Sequence, residues 1–448
     1  MANPTQRLVA MLNELGRVTD EPGRLTRTFL SPAMKRANAL VAGWMKDAGL
    51  TVRVDSVGNL VGSVGALSCC ALDRDAANAG RSKTAPLQIK TLLLGSHLDT
   101  VRDAGKFDGA LGVLLPIVAL AELKRRDVTL PFHVEVIGFS EEEGVRFASA
   151  YLGSKGYCGK LAAADLARRD ADGVSVAEAI ERWNGLLVRR SLGEGGTARR
   201  SKRVGVNALH LKPAHRQSNL LGYFEVHIEQ GPVLEANKLS VGVVSAIAGQ
   251  SRFKLTWTGK AGHAGTTPMA LRRDAFAGAA EFAVGIEAIA RRTPGLVATV
   301  GALTVSPGAA NVIPGQVVHT LDVRHARDAV RRAALMQIGR LATKIANERR
   351  LVRRWQRTQE NGAVDCSAKL TAALARSVQT VQGKSISLVS GAGHDAVVMA
   401  SLAPVAMLFV RSRDGLSHHP DEFTSAHDLN VALRAMIDFL QRLAAENS

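Results

Sequence analysis

The 448-residue chain carries 57 Lys+Arg against 40 Asp+Glu, a formal net charge of +17, and is 46% hydrophobic and 22% charged, with a mean hydropathy of +0.04. This composition excludes disorder of the whole chain, and at about 150 residues per domain the length suits two or three domains, or one large domain with an insertion. The most apolar stretch, 110–123, is too short and too interrupted by Gly112 and Pro116 to cross a bilayer, and 1–15 lacks the apolar core and cleavage site of a secretory leader, so a soluble, cytoplasmic protein is expected.

In chain order, Leu8, Met11, Leu12 and Leu15 share one face of a short N-terminal helix, and Ala33, Ala37, Leu40, Val41 and Trp44 share one face of a second over 32–48, stopped by Gly49. Strand-like runs follow at 51–54, 60–64 and 91–95, the last two separated by a polar, turn-rich excursion at 66–90. An apolar helix over 110–123 leads to a strand at 132–139, and this alternation predicts an α/β layered domain. The middle of the chain changes character: strands at 251–258, 297–305 and 316–323 surround helices at 272–291 and 327–348. That β-α-β-β-α order predicts an inserted two-layer sandwich able to fold by itself. From about 361 the α/β character returns, with a helix at 368–381, a strand at 404–410 and a closing helix at 425–445. The stretch 193–203 comes closest to a flexible linker.

The positive charge is segregated. Residues 182–216 hold nine Lys/Arg and one acid, and residues 324–354 hold ten and two, so each carries +8 and the remainder is nearly neutral. With aromatic residues at 4% and none interleaved with these cations as a stacking platform, solvated basic faces are expected rather than a nucleic-acid site. Cys69, Cys70, Cys158 and Cys366 are too few and too irregular for a disulfide framework, which fits a reducing compartment.

The chemistry-bearing segments lie at predicted strand ends, where open α/β sheets gather ligands. Gly95-Ser-His-Leu-Asp-Thr100 contains a His-x-Asp pair in which Asp99 can orient the imidazole of His97 as a metal ligand. Asp108 follows in the Gly-flanked turn Gly105-Lys-Phe-Asp-Gly109. Ser140-Glu-Glu-Glu-Gly144 places three successive carboxylates after a buried strand, where they repel one another unless a cation sits among them. His227 in Val226-His-Ile-Glu-Gln-Gly231 and His418 in Gly415-Leu-Ser-His-His-Pro420 add two more candidate ligands. Together these residues have the composition of a two-metal hydrolase site with one bridging carboxylate. The absence of thiolates favours Zn²⁺ or Mn²⁺ over iron–sulfur chemistry.

The motifs GSHLDT, GKFDG, EEEGVRF, HIEQGPVLE, GHAGTTPM, NVIPG, DVRH, GAGHD and GLSHHP run in order from near Arg24 to the C-terminus. On them the chain resembles the di-metal aminoacylase/carboxypeptidase superfamily, in its ureido-amidohydrolase (hydantoinase/carbamoylase) branch, which includes allantoate amidohydrolases, N-carbamoyl-L-amino-acid hydrolases and β-ureidopropionases. The resemblance implies one divalent ion held by His97, Asp108 and His227, and a second held by Asp108, Glu143 and His418. It makes Glu142 the general base and leaves Glu141 a bystander. His263 matches the residue that stabilises the oxyanion, Asn311 and Arg324 match substrate-binding positions, and Gln230, Gly391, Gly393 and His394 are weaker substrate-site candidates. Arg324 has an alternative, an ion pair with Asp322 or Asp328.

The implied architecture is a mixed-sheet catalytic domain with helices on both faces, formed by 1–244 and 360–448, plus an inserted ferredoxin-like α+β lid and dimerisation domain at 245–359. The implied reaction is hydrolysis of the ureido C–N bond of a small carboxylate by a homodimer. A deacylase or peptidase on the same scaffold is the alternative, disfavoured by His227, where peptidases more often place an acidic ligand. A polyanion-binding protein is the remote one, since a binding module needs neither the ligands nor Glu142.

Overall fold

A computed structural model describes residues 3–65, 89–185 and 219–447. Cys69 and Cys70, the linker-like stretch 193–203, and nearly all of the 66–90 and 182–216 excursions lie outside the described residues. The chain forms two compact units, one of residues 1–245, 366–388 and 394–448, the other of 246–365 and 389–393.

The strands of the first unit are β1 (Thr51–Val54), β2 (Leu60–Val64), β3 (Thr91–His97), β4 (His133–Phe139), β5 (Leu220–Ile228) and β6 (Val241–Ile247), whose last residues enter the second unit. The second unit continues with β7 (Gly249–Thr258), β8 (Gly262–His263), β9 (Val297–Thr299), β10 (Leu303–Ser306), β11 (Val312–Ile313), β12 (Gln316–His325), β13 (Val352–Asn361) and β14 (Val364–Asp365). The chain then passes through β15 (Ser387–Ser390) to β16 (Val405–Val410).

The first unit's sheet runs β1-β2-β4-β3-β5-β16-β6. Its central four strands, β4, β3, β5 and β16, are mutually parallel, and antiparallel strands flank them. Parallel strands need covered faces. Helices Pro4–Leu15, Pro32–Asp47, Ala110–Arg125, Ala368–Gln382 and Ala426–Asn447 close one face over a core that takes Phe224, Val226 and Ile228 from β5 and Ala406, Leu408 and Val410 from β16. The other face carries the alternate residues Tyr223, Glu225 and His227, with the short helix Ala396–Met399 packed on β5 and β16. The architecture is therefore mixed α/β with helices on both faces, as expected.

In the second unit the sheet order β10-β12-β7-β13, with β9 also on β12, backs onto helices Ala275–Arg292 and Asp328–Glu348 around Trp257, Phe282, Leu321 and Ile338. Two boundaries differ from the periodicity. The first helix begins at Ala275 because the Asp274 side chain caps it, accepting from the N–H groups of Phe276 and Ala277. The strand expected over 297–305 breaks into β9 and β10 where Ala302 bonds Thr320 instead. The final strand β13 completes a β-α-β-β-α-β order, the ferredoxin-like arrangement.

Candidate active site

Because β3, β4, β5 and β16 run parallel, their carboxyl ends meet at one edge of the first unit's sheet, and each delivers part of the site there. His97 ends β3, Glu141, Glu142 and Glu143 follow β4, His227 lies one residue from the end of β5, and the segment after β16 leads to His418. Asp108 arrives from the turn after β3. Gly109 makes that turn possible: its φ is 64°, and a Cβ there would overlap the His97 ring.

His97, Asp108 and His227 form one buried group with ligand atoms within 4.8 Å of one another, and Asp108, Glu143 and the exposed His418 form another, two of four such groups among the described residues. His97 Nδ1 lies 3.0 Å from the Asp99 carbonyl oxygen and His227 Nδ1 lies 2.9 Å from that of Ile228. A carbonyl can only accept, so in each ring Nδ1 carries the hydrogen and Nε2 is the nitrogen left to meet the site. Both Nε2 atoms face Asp108 Oδ1, at 3.5 Å from His97 and 3.0 Å from His227, and this buried oxygen accepts no well-aligned hydrogen bond. Two imidazole nitrogens and a poorly satisfied carboxylate oxygen converging in a buried space are a donor set that fits a divalent metal. On the other side, His418 Nε2 is 3.3 Å from Asp108 Oδ2 and 3.5 Å from Glu143 Oε1.

The histidines and Asp108 also stabilise one another's charged forms. Asp108 stays well below the usual carboxylate range although burial pushes it up, because His227, His418 and His97 surround it. Burial lowers His97 and His227, yet Asp108 raises both above an ordinary imidazole. His418 is held up at about 9 by its bond to Asp108. Burial, and then Asp108, push Glu143 up to about 7, while burial and the neighbouring Glu143 hold Glu142 well above the usual range.

Asp99 does more than orient His97. Its Oδ1 accepts from Glu142 N at 3.0 Å and its Oδ2 from Glu143 N at 3.2 Å, so the carboxylate holds the acidic turn, while Oδ1 lies 3.4 Å from His97 Nδ1. Glu141 is a clamp, not a bystander: buried, it accepts from the N–H groups of Gly144 and Leu152 and closes the turn that displays its two neighbours. Gln230, at φ 55°, donates to Asp108 Oδ2 at 3.1 Å. His394 packs against His227 with ring centroids 4.5 Å apart, and burial followed by His227 holds it well below the ordinary imidazole value.

The remaining candidates lie in the second unit. His263 and Asn311 are exposed neighbours on the β8/β11 ribbon, where Ala264 N donates to the Asn311 carbonyl at 2.9 Å. His263 Nδ1 accepts from Gly265 N at 3.0 Å and Thr266 N at 3.2 Å, which leaves Nε2 as the N–H donor. Arg324 forms a two-point pair with Asp322, both contacts at 2.8 Å, and donates to the Gly391 carbonyl at 2.6 Å. Burial raises Asp322, but Arg324 and Arg252 bring it below its usual value. Gly391 and Gly393 belong to the 389–393 segment of this unit.

Sequence reasoning missed Glu225, Asp395, Ser417 and Glu422. Glu225 is fully buried and accepts from Ser96 Oγ, Tyr223 Oη and Ala396 N. Asp395, also fully buried, has neither oxygen hydrogen-bonded and is held well above its usual range by burial and by Glu225. Its signal stood in GAGHD, beside the histidine that drew attention.

Histidines and carboxylates converging at the carboxyl edge of a parallel sheet are the donor set of a metal-assisted hydrolase. Residues 93–442 match the family model described as Peptidase family M20/M25/M40, and the chain belongs to that family. It is 39% identical over 462 aligned residues to an allantoate deiminase of Arabidopsis thaliana, covering 97% of this chain and 81% of that one. It is 37% identical to an N-carbamoyl-L-amino acid amidohydrolase of Geobacillus stearothermophilus, with 98% of each chain covered. Among solved structures it resembles an amidase of the hydantoinase/carbamoylase family from Burkholderia multivorans, with a TM-score of 0.83, 29% identity and 98% of each chain covered. Among the described residues no helix is long and apolar enough to cross a membrane.

Proposed function

We propose that this protein hydrolyses the ureido C–N bond of a small carboxylate, allantoate first and N-carbamoyl-L-amino acids second, with two divalent ions, Zn²⁺ or Mn²⁺, as resident cofactors. The observation that carries this reading is the convergence of His97, His227 and His418 on Asp108 in a chain similar along nearly its whole length to allantoate deiminases and N-carbamoyl-amino-acid hydrolases.

His97, Asp108 and His227 would hold one ion, and Asp108, Glu143 and His418 the other. Bound there, the ions supply Lewis-acid polarisation and stabilise negative charge. Glu142 takes the proton of the attacking water and returns it to the departing nitrogen, a cycle that needs a carboxylate able to hold a proton between the two steps. Asp99 and Glu141 fix the turn that aims Glu142. His263 offers its Nε2–H to the oxygen that gains charge as water adds to the carbamoyl carbon. Arg324 keeps one N–H on each terminal nitrogen for the substrate carboxylate while Asp322 holds its fork. One water and one carbamoyl group give one amine, one CO₂ and one ammonia. With allantoate the amine is ureidoglycine. Asn311, Gln230, Gly391, Gly393 and His394 complete the proposed substrate surroundings.

The second unit exposes Met269, Leu271, Val284, Val297, Met336 and Val352, the surface proposed for a cytoplasmic homodimer. A monomeric mass in solution would remove the dimer.

The test of function is ammonia release by Mn²⁺- or Zn²⁺-loaded protein from allantoate and a panel of N-carbamoyl-amino acids, with chelated protein and Glu142→Gln as controls. Release that disappears in both controls is expected. Turnover of N-acyl or peptide substrates alone would contradict the reading.

A further inference from the structure

We propose that Glu422, through the 105–108 turn and Ser417, is a positioning residue that holds Asp108 and the His418 loop in the geometry needed to bind the cations, an inference that rests on the metal reading above. Glu422 is buried, and its Oε1 accepts from Phe107 N at 2.9 Å and from Asp108 N at 3.1 Å, more than 300 residues away in the chain. Its Oε2 lies 3.2 Å from Ser417 Oγ, which gives its one hydrogen to the nearer Asp108 Oδ2 at 2.9 Å, so this side chain sits between the two carboxyl groups. Glu422 N donates to the His419 carbonyl at 3.0 Å, closing the 419–422 turn that directly follows His418.

The fit is mutual. A Cβ on Gly105 would overlap the Glu422 carboxyl group, so the GKFDG turn needs a glycine at that position to receive it. Among the described residues no Lys or Arg pairs with Glu422. A buried acid whose partners are two backbone amides and one hydroxyl loses its hydration without gaining an ion pair. What it does is fix the backbone on both sides of Asp108 and, through Ser417, one carboxylate oxygen. Outer partners of this kind set ligand orientation, and their loss costs metal affinity about 10- to 100-fold.

The experiment measures Mn²⁺ affinity by competition with a chromogenic chelator, alongside thermal unfolding of the metal-free chain, for wild type, Glu422→Ala, Glu422→Gln and Ser417→Ala. Glu422→Ala is expected to weaken Mn²⁺ binding about 10- to 100-fold. Glu422→Gln, which keeps an acceptor for the two amides, is expected to lose less than Glu422→Ala. Ser417→Ala, which removes one hydrogen bond to a charged group, is expected to lose about tenfold. Folded Glu422→Ala with wild-type affinity overturns the inference. If that variant does not fold, Ser417→Ala with wild-type affinity overturns it. A merely structural Glu422 would lower the unfolding temperature and leave affinity unchanged. A wild-type chain that binds no Mn²⁺ removes the metal reading itself, and the inference with it.

Discussion

The Glu142 carboxyl lies buried beside Glu143 and in the field of His97, and its backbone N–H is pinned by Asp99. Replacing it with Gln keeps shape and removes the proton carrier. Glu142→Gln should lower kcat by about 10²- to 10⁴-fold, the range general acid–base catalysis supplies, with unchanged metal content by elemental analysis. Loss of metal together with activity would instead make Glu142 a ligand. The proposed ligands were legible because each sits in a short motif at or after a strand end. Glu141 and Glu422 were not, since each acts by accepting backbone N–H groups, and a bond from Glu422 to Phe107 leaves no spacing pattern in the chain. Arg324 was legible in both of its readings, and its pair with Asp322 is the one the fold displays.

Elements with an apolar face could be read directly, the helices Pro32–Asp47 and Ala368–Gln382 among them. β13 could not. Its sequence VRRWQRTQEN is an almost wholly exposed edge strand, so no alternation marks it. The strand β12, separated from it by β7, carries a testable group. His319 is buried; its Nε2 accepts from Trp257 Nε1 at 2.9 Å and its Nδ1 lies 3.2 Å from the Thr320 carbonyl, an arrangement only the neutral ring satisfies. Burial lowers it below the ordinary 6.5. The unfolded chain therefore takes up this proton first as pH falls, so the contribution to stability is full above about pH 6.5 and is lost below it. Thermal unfolding of metal-loaded protein at pH 7.5 and 5.5 should show a larger drop for wild type than for His319→Gln. Equal drops would remove His319 from the acid sensitivity.

At the scale of the molecule, half of the segregated charge lies in 324–354, on the helix Asp328–Glu348 and the edge strand β13, where Arg331 is buried against Asp328, Glu360 and Ser251. That charge belongs to a folded surface of the second unit, and the catalytic residues proposed above draw on Arg324 alone from it. The sheet edge assembles four segments spread from 97 to 418, and nothing local in the sequence states that β4, β3, β5 and β16 run parallel. The site was legible as a set of residues, whereas its geometry required the topology. The proposed function would have Asp108 shared by two divalent ions that the reaction requires together. The most direct measurement is titration of metal-free protein with Mn²⁺ while following ammonia release from the preferred ureido substrate. The account predicts activity that saturates at two equivalents per chain; full activity at one equivalent, or activity in the metal-free protein, would contradict it.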